Sequence, residues 1–349
     1  MVTRLAFLVA LAIAVVAADA QERGTLAAYR PEQRVSGVLR LWGHGSPETD
    51  FMGKLVRSWQ EGFQRYQTGI EFDNRMFGTA SAIGALYADA GDVAILGREI
   101  RPFEVSAFER VKGYPPLGVD IAIGSLDVRN FDFALVLFVH KDNPISRLTL
   151  AQLAGIFGCD HPQGTSNIRT WGALGSTGEW ADRPIHVYGS RISGGFAVFF
   201  QDVVMQGSGR WNPEMKELFD VRQANGSLLD SGQQVLDALE HDRDGIGVSS
   251  LHYTNPGVKP LALAAKESGA GGADPGSEAT RDNLIERTYP LTRVIPAFVN
   301  RAPGKPLDPK VKEFLRYILS RDGQQDIVRD GRYLPLSADA AREQLRKLQ

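Results

Sequence analysis

A short loop around Arg191 combines the residue types that bind anions in proteins. Residues 189–195 bring glycines and serines together with that one arginine, after the strand-forming Val187 and Tyr188. Residues 196–205 are mostly apolar without glycine or proline, which predicts a largely buried helix. The first amides of a helix lack partners inside it, and the helix dipole adds partial positive charge there. The stretch therefore indicates an oxyanion site, with a permanently charged guanidinium beside it.

Each residue of this loop has a candidate role. Ser190 or Ser193 could cap the helix and donate a hydroxyl hydrogen bond, while Gly194 and Gly195 let the backbone approach a ligand closely. The alternative interpretation is an ordinary strand–loop–helix turn with a surface arginine, since glycine-rich turns are common in α/β folds. From this stretch alone both interpretations stay open.

Two more loops repeat the arrangement earlier in the chain. Ser46 and Thr49 lie between a predicted strand, residues 38–42, and an amphipathic helix, while Thr79 begins another helix after a strand. Arg98 follows a buried-looking strand, residues 91–96. Loops after strands lie at the carboxyl edge of an open α/β sheet, where ligands bind. We therefore expect these loops to converge on one small anion. His44 lies in the first of them.

Composition limits the function classes. The chain has 349 residues, 43% of them apolar, which is typical of a globular protein and favours two domains. The net charge of −2 gives no indication of nucleic acid or an anionic membrane as partner. Cys159 is the only cysteine, so no intrachain disulfide is possible, and we interpret it as a small apolar residue.

The first twenty residues predict a secretory signal peptide. Arg4 precedes an uninterrupted apolar run over residues 5–18, and Ala18-Asp19-Ala20 forms a small-x-small cleavage site before Gln21. The run is shorter than the roughly 20 residues that cross a bilayer. No cysteine near the cleavage point indicates a lipid anchor, so we expect a soluble, exported product. Residues 21–37 are polar and predict a loose leader.

The remaining chain alternates strands and helices, which predicts an α/β architecture. Two strands near the middle, residues 120–126 and 134–139, have no long helix between them and indicate a hinge crossing. Helices are predicted for residues 149–157, 231–241, 309–321 and 338–348, and strands for 245–249 and 289–299. We expect domain I to hold residues 36–130 plus 288–349, and domain II to hold residues 131–287.

Residues 36–337 resemble the periplasmic phosphate-binding component of bacterial phosphate ABC transporters. Several blocks carry the resemblance in order and spacing: residues 43–49 with Trp59, 77–80, 92–98, 148–157 with 171–172, 191–194, 289–291, 303–309 and 320–324. It implies a two-domain periplasmic-binding-protein-like clamp of type II, each domain a mixed sheet flanked by helices. It also implies capture of phosphate or a related oxyanion in an interdomain cleft.

Position by position, the resemblance implies ligand contacts from residues of all these loops: Ser46, Thr49, Thr79, Arg98, Arg191, Ser193 and Gly194. The sequence departs from the family pattern at two places. Gly195 stands where the family often has threonine after serine-glycine, and Gly97-Arg98-Glu99 stands where it often has serine-aspartate. That aspartate accepts the proton of hydrogen phosphate and excludes sulfate. Sulfate, another oxyanion or an organic phosphate therefore stays open as ligand.

The resemblance further implies an inner-membrane ABC permease as partner, a monomeric protein in the periplasm, no cofactor and no nucleic acid. Alternatives are an oxyanion-sensing or docking protein without transport, and a phosphatase-like enzyme on the same fold. No glycine-x-serine-x-glycine motif is present, and the scattered histidines show no metal-ligand spacing, so we expect neither catalysis nor a metal. For Arg98 and Arg191 the alternative role is a surface ion pair.

Overall fold

The computed structural model describes residues 25–44, 51–128, 133–159, 166–265 and 275–349. The predicted signal peptide, Ser46 and Thr49 lie outside these ranges. The chain divides into two compact units, the first containing Met1–Ile123 and Val294–Gln349 and the second Gly124–Arg293. By this division, the described residues 124–128 and 288–293 fall in the second unit, whereas the sequence predicts them in domain I. The functional division into two domains stays a prediction.

The first unit alternates strands and helices through its amino-terminal part and ends in three helices. Its elements are β1 (Ser36–Gly43), α1 (Phe51–Gln64), β2 (Gly69–Arg75), α2 (Thr79–Tyr87), β3 (Val93–Ile95), α3 (Pro102–Lys112) and β4 (Leu117–Ile123), followed after the second unit by β14 (Val294–Val299), α8 (Pro309–Ile318), α9 (Arg321–Asp330) and α10 (Ala338–Arg346).

The sheet of the first unit is mixed. Its order is β2-β1-β3-β14-β4, with β1 parallel to β2 and β3, and β14 antiparallel to both of its neighbours. The register places Gly43 opposite Ile95. Because β1 and β3 are parallel, the loops that follow them emerge at one edge of the sheet.

Helix α1 packs its apolar face into the core of this unit. Leu55, Trp59 and Phe63 recur at helical spacing and are 0% exposed. The Phe63 ring lies edge-on to Phe314 of α8 at 5.4 Å, and the Trp59 indole donates to the Gly323 carbonyl at 2.9 Å. Each such buried side chain contributes on the order of 1.5–3 kcal/mol, so this face anchors the helix that follows the first candidate loop.

The segment before β1 is ordered, so the expected loose leader was wrong for its described residues. Tyr29 is 4% exposed, and its hydroxyl donates to Glu313 at 2.5 Å. The Tyr29 amide donates to Asp322 at 2.7 Å, and the Arg321 amide donates to the Ala27 carbonyl at 2.9 Å. The sequence predicted a loose leader because this segment is polar. A single buried tyrosine forms no periodic apolar pattern that would indicate packing.

The second unit contains the remaining elements. They are β5 (Val136–His140), β6 (Arg147–Thr149), α4 (Leu150–Phe157), β7 (His186–Ser190), α5 (Gly195–Val204), β8 (Lys216–Leu218), β9 (Val221–Arg222), β10 (Leu228–Leu229), α6 (Ser231–Glu240), β11 (Gly245–Ser249), β12 (Val258–Pro260), β13 (Ala262–Ala264) and α7 (Arg281–Ile285). Two short 3-10 helices, Trp171–Leu174 and Gly178–Trp180, precede β7.

The main sheet of this unit is also mixed. Its order is β12-β5-β11-β7-β8, with β11 antiparallel to β5 and parallel to β7, and β7 parallel to β8. Helix α6 covers one face through Val235, Leu236 and Leu239. Thr149 caps α4 as expected, because its hydroxyl accepts from the Gln152 amide at 3.1 Å.

Several predicted element bounds need correction. The expected strand over residues 289–299 begins only at Val294, and helix α9 was not predicted at all. The sequence also did not predict short two-stranded sheets such as the one that β6 forms with β13. Within the described ranges, no helix combines the length and apolar character needed to cross a membrane.

Candidate anion-binding site

In the first unit, the ends of β1 and β3 and the start of α2 meet at one sheet edge. The His44 amide donates to the Ile95 carbonyl at 2.9 Å, and the Gly78 amide donates to the Gly43 carbonyl at 2.8 Å. A Cβ added to Gly43 would lie 2.0 Å from the Ile95 oxygen, so only glycine fits there. These contacts fix three loop segments against one another.

Thr79 lies at the first turn of α2, beside this junction. Its Oγ1 accepts a hydrogen bond from the Gly97 amide at 3.1 Å, which leaves the hydroxyl hydrogen available as a donor. The preceding Gly78 has φ of 130°, a backbone conformation that favours glycine, and forms the helix cap without a side-chain hydrogen bond. The start of α2 therefore keeps donors available for an anion.

His44 also belongs to this junction. Its imidazole lies over Gly97, so closely that a Cβ there would be 2.4 Å from His44 Cγ. The His44 ring thus covers the turn that leads from β3 to Arg98.

Arg98 forms an ion pair, but a largely buried one and not the surface pair weighed above. Its guanidinium donates twice to the Glu104 carboxylate, at 2.8 Å for each bond, and once to the Glu99 carbonyl. The side chains are 16% and 6% exposed. Burial alone would raise the pKa of Glu104, but hydrogen bonds from Arg98 and the Arg101 amide, together with their charges, hold it below its usual value. The charge of Arg98 is therefore compensated inside the first unit.

In the second unit, the predicted loop joins β7 to α5. Arg191 and Ser193 are exposed, and among the described residues neither side chain has a hydrogen-bond or ion-pair partner. The Gly194 amide donates to the Arg191 carbonyl at 2.9 Å and closes a tight turn. An exposed cation beside a helix start is free to meet an anion.

The expected serine cap of α5 was wrong. The cap residue is Gly194, which has no side chain that could accept a hydrogen bond from the helix amides. Ser190 instead pairs with Ser231 at the start of α6, with 3.1 Å between the two hydroxyl oxygens. The strand end turns Ser190 toward the neighbouring helix, so the first α5 amides stay without a capping side chain.

Two carboxylates that the sequence did not predict lie near this loop. Glu217 of β8 accepts from the Ile192 amide at 2.9 Å, and Asp220 accepts from the Ser231 amide at 2.8 Å. The parallel pairing of β7 with β8 brings them there, and no local pattern announces it. Both carboxylates bond to backbone amides, one in the loop and one at the start of α6, and neither bonds to Arg191. Among the described residues of the β7–α5 loop, the Arg191 side chain therefore stays unpaired.

A cluster of ionisable groups lies toward the other end of β7. Asp242 accepts from the Tyr188 hydroxyl and contacts His186 Nδ1, both at 2.7 Å, and Lys216 donates to Tyr188 at 3.0 Å. Burial would raise the pKa of Asp242, but hydrogen bonds from Tyr188 and His186 lower it on balance. His186 and Ser190 are roughly 13 Å apart along the strand, so the structure does not assemble His186 with the loop serines into a triad.

Comparison with known proteins identifies the family. A model of the PBP superfamily domain matches residues 49–322. The chain is also 33% identical over 322 residues to the phosphate-binding protein PstS of Pseudomonas aeruginosa, covering 92% of this chain and 90% of that one. The chain belongs to the PBP superfamily and to the family of PstS. Protein SphX of Synechococcus elongatus is 27% identical over 80% of this chain and 73% of its own length.

Solved structures of this superfamily share the fold. PstS of Borrelia burgdorferi aligns with a TM-score of 0.57 at 14% identity, over 86% of this chain and all (100%) of that one. An ABC-type phosphate transport receptor of Vibrio cholerae gives a TM-score of 0.51 at 18% identity, over 85% and 99%. The predicted fold class and family resemblance are confirmed. Among the described residues, no cluster of histidine, cysteine and acidic side chains could hold a metal ion.

Proposed function

We propose that this chain captures phosphate as the substrate-binding protein of an ABC transporter. The observation that carries the proposal is 33% identity to the phosphate-binding protein PstS across 92% of the chain. The loops described above support it, since each unit offers helix-start donors at a sheet edge. A periplasmic location after signal-peptide removal and an inner-membrane permease partner belong to the same proposal.

The proposed contacts follow from which donors are free. In the first unit Thr79 donates its hydroxyl hydrogen, because the Gly97 amide already occupies a lone pair of its oxygen. In the second unit Arg191, Ser193 and the amides at the start of α5 donate. A desolvated oxyanion needs most of its lone pairs filled, because an unpaired buried charge costs several kcal/mol. Ser46 and Thr49 complete the proposed set from outside the described residues.

We assign Arg98 a positioning role in place of direct ligand contact. Its bidentate bond to Glu104 ties the turn after β3 to the start of α3, next to the Gly97 amide that holds Thr79. No aspartate follows β3 in this sequence to accept a phosphate proton. We therefore expect weak discrimination between phosphate and sulfate.

A binding role without catalysis is part of the proposal. PstS of Pseudomonas aeruginosa is named a phosphate-binding protein, and the ionisable cluster around Asp242 lies apart from the free donors of the loop. The phosphatase-like alternative has no observation in its favour.

Calorimetry tests the proposal directly. The exported protein should bind phosphate and, with similar affinity, sulfate, at pH values on either side of neutrality. Arg191→Ala should weaken phosphate binding by at least about 2 kcal/mol, the scale for losing a charged hydrogen-bond partner. Arg222→Ala removes an exposed arginine of the same unit, whose side chain donates, among the described residues, to the Gly226 carbonyl alone, and it should leave the affinity unchanged.

Thr79 offers a second test with a matched pair of variants. Thr79→Val removes the hydroxyl at nearly constant shape and should cost about 1 kcal/mol of binding. Thr79→Ser keeps the hydroxyl and should bind as the parent does. Absence of phosphate and sulfate binding in the parent, or an unchanged affinity in Arg191→Ala, would contradict the proposal.

A further inference from the structure

A groove of about 520 Å³ lies in the first unit, and none of its described lining residues belongs to the candidate anion-binding loops. One wall is the segment before β1, residues 25–30. The other walls come from α8, from the start of α9 and from α10. Sites for small molecules have volumes of roughly 300–1,000 Å³, so this groove has the size of a ligand site.

The lining of the groove is cationic. The segment before β1 and the three helices each contribute one arginine: Arg30, Arg316, Arg321 and Arg342. Among the described residues that line the groove, none is acidic. Guanidinium groups stay charged at neutral pH, and their planar forks match the oxygens of phosphoryl groups and carboxylates. The groove therefore has the lining of an anion site.

Backbone contacts fix the helix arginines at successive points along the segment. The contacts run in chain order: Arg342 Nη2 donates to the Thr25 carbonyl at 3.1 Å, the Arg321 amide to the Ala27 carbonyl at 2.9 Å, and Arg316 Nη2 to the Arg30 carbonyl at 3.3 Å. The five residue steps of this segment span at most about 18 Å. The cations are thus spread along a groove, and a ligand with several anionic groups fits them better than a single small anion.

Two of the four guanidiniums are already paired with carboxylates. Arg316 donates to Glu313 at 2.8 Å and lies 3.2 Å from Glu32. Arg342 donates to Asp339 at 2.6 Å. These pairs compensate the charge of both arginines, so neither guanidinium is the main attraction for an anion.

The other two guanidiniums have no counter-charge of their own. Arg30 and Arg321 are exposed, and among the described residues neither side chain has a hydrogen-bond or ion-pair partner. Asp322 follows Arg321 in the chain, but its carboxylate accepts from the Tyr29 amide at 2.7 Å. Like charges around one groove repel each other, and an anion between them relieves that repulsion.

We propose that this groove binds a linear oligophosphate, with phosphoryl groups bonded to Arg30 and Arg321. A phosphoryl group is tetrahedral, so its oxygens accept guanidinium forks from two walls at once, whereas a planar carboxylate presents one edge. A chain of phosphoryl groups also carries charge along its length, as the row of cations requires. The inference goes beyond the proposed phosphate capture and does not depend on it.

Calorimetry on the exported protein tests the inference, with phosphate present to fill the proposed phosphate site. The ligands are tripolyphosphate and citrate, which compare phosphoryl groups with carboxylates. Tripolyphosphate should bind once per chain and at least about tenfold tighter than citrate, the scale of one lost charge-assisted bond. Vesicles of phosphatidylglycerol, added in a separate titration, should not displace it.

Variants of the free arginines place the ligand in the groove. Arg30→Ala and Arg321→Ala should each weaken tripolyphosphate binding at least about tenfold. Arg321→Lys keeps the charge but not the planar fork, so it should restore only part of the affinity. Arg110→Ala is the control, because Arg110 is exposed on α3, lies outside the lining and has no partner among the described residues. Urea midpoints should stay unchanged in all four variants, since surface substitutions without lost contacts cost little.

Each outcome has a separate meaning. Unchanged tripolyphosphate affinity in Arg30→Ala and Arg321→Ala overturns the inference, as does citrate binding of equal strength. Displacement of tripolyphosphate by the vesicles would assign the groove to a membrane surface and would also overturn it. Arg191→Ala separates the two proposals, because it should weaken phosphate binding and leave tripolyphosphate binding unchanged. A protein that binds tripolyphosphate through Arg321 but does not bind phosphate would overturn the proposed function alone.

Discussion

At the scale of single residues, the two arginines near the predicted site illustrate how environment sets a role. Both follow a strand and precede a helix, so the sequence predicted an anion contact for each. Arg98 meets Glu104, six positions along, in a bidentate pair, whereas Arg191 stays exposed and unpaired among the described side chains. Residue type and spacing predicted the loops. The carboxylate partner could not be predicted, because the turn from β3 into α3 decides which acidic group faces Arg98.

We predict that the Arg98–Glu104 pair makes stability depend on pH. The folded pKa of Glu104 lies below its ordinary value near 4.5. The pair therefore contributes fully above that ordinary value, and its contribution is lost as pH falls through the folded pKa. Glu104→Gln should remove this dependence and cost about 3 kcal/mol at neutral pH, since it leaves a largely buried guanidinium without its counter-charge.

Urea unfolding at several pH values between neutral and acidic measures this effect. The control is Asp339→Asn, which breaks an exposed pair with Arg342 in which the aspartate is 93% exposed. Exposed pairs contribute little, so the control should unfold as the parent does. Equal pH profiles for the parent and Glu104→Gln would contradict the prediction.

At the scale of elements, periodic segments were predicted well and irregular ones were not. Strand β11 has the bounds that its sequence predicted, Gly245–Ser249, because alternation of residue types is a local signal. Helix α9 was missed because its buried positions include Gln324 and Asp326, which break the apolar pattern. Gln324 is tolerated there since its side chain donates to the Ile121 and Ile318 carbonyls, contacts that only the assembled unit provides.

The site shows the same division. The meeting of the β1, β3 and α2 ends follows from the rule for parallel strands, so Gly43 and Thr79 could be placed together in advance. The second unit also contains a cavity lined in part by Phe133, Phe157 and Phe196. It could not be predicted, because these rings come from separate segments that only tertiary packing brings together.

We predict that Gly43→Ala disrupts the junction of β1 with β3. The added methyl would meet the Ile95 carbonyl oxygen at 2.0 Å, and backbone on both strands leaves it no room to move. The cost should reach about 3 kcal/mol, the upper end for overpacking. Phosphate affinity should also fall, since the Gly43 carbonyl holds the Gly78 amide at the start of α2.

Urea midpoints and calorimetry on the same samples check both parts. Gly84→Ala is the matched control, because a Cβ there makes only ordinary contacts, the nearest at 3.5 Å from the Tyr87 hydroxyl. It lies inside α2 and should stabilise by a fraction of a kcal/mol. A Gly43→Ala protein as stable as Gly84→Ala would exclude the proposed close approach.

At the scale of the whole molecule, segments far apart in sequence complete the first unit. The chain before β1 packs against α8 and α9 through Tyr29, whose ring meets Tyr317 edge-on at 5.4 Å and whose hydroxyl reaches Glu313. Burial, followed by the hydrogen bond to Glu313, raises the pKa of the Tyr29 phenol well above its usual range. No local pattern predicts this contact, because Tyr29 and its partners lie nearly three hundred residues apart in the chain.

We predict that Tyr29→Ala destabilises the first unit by about 3 kcal/mol, the low end for truncating a buried aromatic. It also removes one donor from the buried Glu313, which keeps its bonds from Arg316 and from the Glu32 amide. Hydrogen exchange should rise at the Arg321 amide, which donates to the Ala27 carbonyl. Phe103→Ala, which truncates a ring that is 63% exposed, should change neither the urea midpoint nor the exchange. Unaltered protection in Tyr29→Ala would show that the segment is held elsewhere.

The position of β14 has a consequence for the order of folding. This strand lies between β3 and β4, yet it is made only after the whole of the second unit. A nascent chain therefore has every strand of the second unit once residue 293 has emerged, while the first sheet still lacks its link to β4. Closing that long-range contact is entropically costly and slow. We infer that the second unit folds first, and that the sheet of the first unit is completed only after β14 has been synthesised and has paired with β3 and β4.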